Sequence, residues 1–164
     1  MRGGLHCPGY PVRGWLLSAR WLLLGGWHGS WALFAFSIAP TAFRVLPSGE
    51  VAGALVAPVL RTLHLYGLAA GVALFAIAFA LRERALVLGV TAALALLSAV
   101  TEFGVTAAIT DIRPSQFGPG TPEGAAARFA DLHHLSRVLF GVILAGVAFL
   151  TVLHARQSAP PDNC

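Results

Sequence analysis

Four stretches of this chain stay apolar for too long to be anything but helices buried or immersed around nearly their whole circumference. They cover residues 21–39, 50–81, 86–109 and 121–155. At a rise of about 1.5 Å per residue, some 20 residues cross the roughly 30 Å hydrocarbon core of a bilayer, so each stretch is long enough to span it. Only 11% of the 164 residues are charged and 57% are hydrophobic. Soluble domains are about 25% charged and about 45–50% apolar, and a water-exposed surface of this size needs more ionic groups than the chain supplies. The expected fold class is therefore all-α, a four-helix transmembrane bundle in one compact membrane domain over residues 19–156. A cytosolic N-terminal arm (1–18) precedes it and a disordered C-terminal tail (157–164) follows.

Local signals punctuate the spans. The first stretch ends at Pro40, and residues 41–49 read as a loop. Ser48 is placed to cap a helix that opens with Glu50, whose carboxylate suits a helix start. That helix is about 48 Å long, so its first turns lie at or above the interface, and Pro58 is expected to bend it there. Arg82-Glu83-Arg84 makes a very short turn. Residues 111–120 hold two prolines and two glycines and read as a loop, after which Thr121-Pro122-Glu123 has the cap, proline and acid of a helix start. Trp15 and Trp21 suit an interfacial belt, whereas Trp27 and Trp31 lie deeper.

The net charge of +4 comes from arginine alone, and the arginines are scattered at segment ends. That pattern excludes a nucleic-acid footprint and points to the bilayer as the partner. With both ends inside, Arg2, Arg13, Arg20, Arg82, Arg84 and Arg156 lie on the cytosolic side, and Arg44 and Arg113 on the other. The expected orientation is N-in, C-in, in a bacterial inner membrane. Cys7 and Cys164 have no metal-ligand spacing. No A-x-A-like site follows the first apolar run, so no cleaved signal is expected, and Gly4-Leu5-His6-Cys7 precedes any apolar run, against a lipid-anchored start. Small residues recur four apart at Gly25/Gly29, Gly67/Gly71, Gly89/Ala93 and Gly141/Ala145. Such faces let helices approach closely, within the chain or between copies in a homo-oligomer.

Polar residues interrupt three spans at one depth. His64 and His133 fall about 12–14 Å above the middle of their spans, and Glu102 and Arg137 about 7 Å above theirs. Spacings of three and four put Phe129, His133, Ser136, Arg137 and Phe140 on one face of the last helix. The same spacings align Arg61, His64, Leu68, Gly71 and Phe75 on the second, and Ser98, Glu102, Thr106 and Ile109 on the third. A charge at mid-membrane costs roughly 2.5–3.5 kcal/mol on insertion scales. The arginines can snorkel, but Glu102 is short-stemmed and must face a cationic or imidazole partner or carry a proton. Arg61, His64, Glu102, His133 and Arg137 are thus the candidate ligand- or ion-binding cluster, with a purely structural network as the bland alternative. His28 and His134 read as packed and interfacial histidines, and Asp131 as a head-group residue paired with Arg128.

What the cluster does is open at this stage. An intramembrane carboxylate beside histidines can bind a proton, a small ion or a partner helix. Alternatively, His64 and His133 ligate a haem, or hold copper with Glu102. Outside that alternative no cofactor is expected. No serine or cysteine sits with a base and an orienting acid, so no enzymatic reaction is expected either.

Ala39-Pro40-Thr41-Ala42-Phe43-Arg44-Val45-Leu46-Pro47 with Val51-Ala52-Gly53, and Arg128-Phe129-Ala130-Asp131-Leu132-His133 with Ser136, resemble the transmembrane protein 205-like family. This family is also catalogued as domain of unknown function 4149. The likeness spans roughly residues 20–155. It implies a four-span topology and marks Pro40, Phe43, His133 and Ser136 as important, but implies no reaction. Where many relatives carry a proline near the end of the third span, this chain reads Thr106-Ala107-Ala108-Ile109.

Overall fold

A computed structural model describes residues 10–116 and 124–158. The first rod consists of α1 (Tyr10–Leu33), a π-helical turn (Phe34–Ile38) and α2 (Ala39–Val45). The second is α3 (Gly49–Ala80). The third comprises α4 (Ala85–Val100), a second π-helical turn (Thr101–Thr106) and α5 (Ala107–Gln116), and the fourth is α6 (Ala125–Ser158). Four segments, Val12–Val45, Gly49–Ala80, Ala85–Ile112 and Ala125–Arg156, are long and apolar enough to cross a membrane. The rods alternate in direction and close a ring: α1 packs on α3, α3 on α4, α4 on α6 and α6 back on α1. Tyr10, Ser158 and the Arg82–Arg84 turn therefore mark one end of the bundle, the terminal end. The short connection at Leu46–Ser48 marks the opposite end.

The core is held by shape. In lipid, apolar burial gives helices little drive to associate, so close packing has to supply it. Trp27, Trp31, Leu24, Ile143 and Leu150 are wholly buried. Two glycines admit the indole of Trp27. A Cβ on Gly67 would lie 3.0 Å from Trp27 Nε1, and one on Gly71 would lie 2.7 Å from the Cβ of Ala95. The Gly67/Gly71 face thus joins α3 to α1 and α4 inside the chain. A Cβ on Gly25, Gly29, Gly89 or Gly141 would meet nothing within 4 Å, so those small-residue faces lie outside the packed seams.

Ser48 caps α3, its hydroxyl accepting from the Val51 amide at 3.2 Å. Pro58 lies inside α3, which runs on without interruption. At its other end the chain enters α4 through a turn in which Arg82 takes a left-handed φ of 53°. The Glu83 amide bonds back to the Ala78 carbonyl at 3.0 Å, closing the turn.

Boundaries differ from the sequence reading at three places. Pro40 does not end the first span. The Ala39 amide bonds to the Phe34 carbonyl, and Pro40 sits in the first turn of α2, where its missing N–H costs nothing. The rod therefore continues to Val45, and the loop shrinks to Leu46–Ser48. Helix also begins at Tyr10, within the segment expected to be an arm, and α5 carries on past Asp111 to Gln116. The helix start expected at residues 121–123, and both cysteines, lie outside the described residues. The third rod departs from α-geometry at Thr101–Thr106, a stretch that holds no proline.

Candidate functional site

Glu102 sits in the second π-helical turn and His64 in the middle of α3. Counted from Ala80 and Ala85, the two lie about 24 Å and 26 Å above the terminal end, so antiparallel neighbours bring them level. The His64 imidazole Nδ1 and Glu102 Oε2 are 3.2 Å apart. Glu102 Oε1 faces Arg61 Nε at 3.4 Å. His64 is fully buried and the Glu102 side chain is 8% exposed, whereas Arg61 is 69% exposed and reaches in from the bundle surface. The long guanidinium stem explains this: it keeps its charge outside while neutralising a carboxylate within. A buried His/Glu/Arg cluster therefore exists. On α3 its face is rotated from the expected one, because Arg61 and Phe75 turn outward while Leu63, His64, Gly67 and Ala70 turn in.

The His64 ring lies 5.5 Å from that of Trp31, and Trp31 stacks on Phe140 at 4.4 Å. His64 Nε2 and Trp31 Nε1 are buried with no hydrogen-bond partner among the described residues. Two polar atoms without partners beside a carboxylate–imidazole pair are the costliest feature of this core, since each forfeits its hydration.

His133 and Arg137 do not join this ion-pair network. His133 is exposed and stacks on Phe129, the ring centroids 6.0 Å apart and the planes within 3°. Both instead line a cavity of about 740 Å³ between α6, the first rod, the upper part of α3 and the third rod. Ser136, Thr106 and Thr110 add to its polar lining, and Phe34, Pro40, Phe43 and Phe140 contribute aromatic and aliphatic surface. Both π-helical turns border it. The cluster read from the sequence as one unit is thus two neighbouring features, a buried ion-pair network and a cavity with a cationic wall. Of the remaining polar residues, His134 is exposed. His28 is half-buried, its Nδ1 without a hydrogen-bond partner among the described residues. Asp131 and Arg128 form no ion pair among the described residues.

A second trio escaped the sequence reading. At the terminal end Arg20 Nη1 meets Glu83 Oε1 at 2.5 Å, and His154 Nδ1 lies 3.5 Å from Glu83 Oε2. Arg20 is 4% and His154 2% exposed, and the Arg20 guanidinium also covers the ring of Trp21. Arg20 and the Arg82–Arg84 turn look like interfacial orientation charges, which hides the pairing. The available signal was that an arginine, a glutamate and a histidine end three different rods on the same side.

The haem or copper alternative requires His64 and His133 to converge. They sit in different features, His64 beside Glu102 in the ion-pair network and His133 on the exposed face beside Phe129, and no group of three or more His, Cys, Asp or Glu side chains that could hold a metal ion occurs among the described residues. Compared with protein-family models, curated proteins and solved structures, the chain shows no match.

Proposed function

We propose that this is an integral membrane protein, N-in and C-in in a bacterial inner membrane, whose Arg61–Glu102–His64 network takes up and releases a proton within the bundle. The observation that carries this reading is the 3.2 Å approach of a buried imidazole to a buried carboxylate whose other oxygen faces an arginine. Such a pair shares one proton between two acceptors, and its second imidazole nitrogen is available to a water or a small ion. The arginine supplies the carboxylate with a cationic partner on its other oxygen. The likeness to the transmembrane protein 205-like family supports the topology and adds no reaction. The outward small-residue faces on α1, α4 and α6 offer surfaces on which a second copy would pack.

Glu102→Gln tests the proposal. In detergent or nanodiscs the variant is expected to change the pH dependence of the protein's thermal stability, because it removes the carboxylate from the network. If parent and variant melt alike from acid to neutral pH, Glu102 is not part of a titrating cluster.

A further inference from the structure

We infer that the cavity beside the network binds an anionic amphiphile, one anionic head on an apolar body. At about 740 Å³ it falls within the roughly 300–1,000 Å³ of small-molecule sites. The first rod and α3 give it apolar surface, through Phe34, Pro40, Phe43 and Leu60, and its polar groups come from α6 (His133, Ser136, Arg137) and the third rod (Thr106, Thr110). No acidic residue lines it, and Arg137 forms no ion pair among the described residues. Glu102, the nearby acid of the network, is already held by Arg61 and His64.

Two further observations point to a ligand rather than to plain lipid solvation. Thr106 lines the cavity, and its hydroxyl is buried with no hydrogen-bond partner among the described residues. Ser136 is 6% exposed and borders it from the opposite helix. An apolar chain alone leaves these hydroxyls and the guanidinium unsatisfied. A head with two acceptor oxygens satisfies the guanidinium through parallel charge-assisted hydrogen bonds and leaves lone pairs for a hydroxyl. Arg137 lies about 28 Å along α6 from Arg156, close to one hydrocarbon thickness. The long stem of Arg137 lets its guanidinium reach outward toward the level at which an amphiphile's head rests. Fatty-acid carboxylates and anionic phospholipids share this chemistry. The inference does not depend on the titration of Glu102, which does not line the cavity.

Trp31 supplies the test, because it stacks on Phe140, a cavity wall. The full chain carrying Trp15→Phe and Trp21→Phe, which removes the two exposed indoles, is placed in phosphatidylcholine nanodiscs. Dibromostearate, its methyl ester or a dibrominated phosphatidylglycerol is then titrated in. The expected result is indole quenching that saturates with at least one of the two anions and needs at least tenfold more of the ester. The anion that saturates at the lower mole fraction identifies the source. Arg137→Gln shifts the anion half-point at least tenfold, Arg137→Lys recovers part of that loss, and Glu102→Gln leaves the half-point in place. Should Arg137→Gln fail to fold, Thr106→Val and the ester comparison carry the test. Quenching that rises linearly with mole fraction, or an ester as effective as the acid, overturns the inference.

Discussion

The Nδ1 atom of His64 and the Oε2 atom of Glu102 meet at 3.2 Å across the seam between α3 and the third rod. Glu102 also faces Arg61 at 3.4 Å on its other oxygen, whereas His64 has no second hydrogen-bond partner among the described residues, so His64 should depend on Glu102 more than the reverse. Removing one member of a buried charge pair typically costs about 3–5 kcal/mol, because the other is left buried and uncompensated. Glu102→Ala is expected to destabilise the bundle by about that amount in a mixed-micelle unfolding titration. A double-mutant cycle with His64→Phe should give a coupling of about 0.5–3 kcal/mol. Additive single effects would show that the contact carries no energy.

The terminal-end trio should behave as a separate unit. Glu83→Ala leaves Arg20 and His154 facing each other inside the protein, and is expected to cost about 3–5 kcal/mol. Arg20→Lys should not be silent, since an ammonium reproduces neither the forked donor set nor the cover over Trp21. Glu83 and Glu102 are about 28 Å apart along the third rod. The Glu83→Ala and Glu102→Ala penalties should therefore add to within about 0.5 kcal/mol. A larger departure would reveal that the two ends of the bundle communicate.

The legible part of the molecule was the part set by solvent and period. The run lengths announced four spans, Ser48 announced its helix, and the isolation of Glu102 in an apolar segment announced that it must find a partner. What stayed hidden depended on rotation and register. A single π-helical turn shifts every residue after it around the helix, and no residue type announces one, so the faces of the first and third rods could not be phased from sequence. The Pro40 signal misled for the same reason, because a proline ends an α-helix only where its missing amide is needed. Arg20 and Glu83 were hidden by their neighbours: charges at span ends have an interfacial explanation that removes any need to look for partners.

Gly71 and Gly25 separate packing from mere small-residue abundance. A Cβ at Gly71 would press within 2.7 Å of Ala95, whereas one at Gly25 would meet open space. Gly71→Val is expected to destabilise by about 1–3 kcal/mol through overpacking. Gly25→Ala should be neutral or slightly stabilising in the monomer, since alanine is the better helix former by up to about 1 kcal/mol. If Gly25→Ala instead weakens a dimer seen by crosslinking, the α1 face is a contact between copies.

Arg82 carries a left-handed backbone without being glycine, at φ 53° in the turn between α3 and α4. That conformation costs an ordinary L-residue roughly 1–2 kcal/mol. Arg82→Gly should remove part of this strain, offset by the greater freedom glycine has when unfolded, and raise stability by up to about 1 kcal/mol. Arg82→Val should lower it, because a β-branched side chain fits this region worst. Thermal midpoints in one detergent decide the order: glycine above arginine above valine.

Phe140 joins the two halves of the site, since it stacks on Trp31 at 4.4 Å with the planes 17° apart and also lines the cavity. Phe34 also meets Phe140, the ring centroids 5.6 Å apart and tilted. Phe140→Leu keeps most of the apolar bulk and loses the aromatic pairing, so its expected cost is about 0.5–1.5 kcal/mol. Phe140→Ala loses the bulk as well and enlarges an existing cavity, which places it near the lower end of the roughly 3–5 kcal/mol typical of buried Phe→Ala changes. Trp31 fluorescence gives a local readout, because its indole is otherwise fully buried. The alanine variant should shift emission to longer wavelength as the cavity opens onto the ring, and the leucine variant should not. An unshifted alanine spectrum would mean that Trp31 is sealed from the cavity by other contacts, and that the network and the cavity are independent.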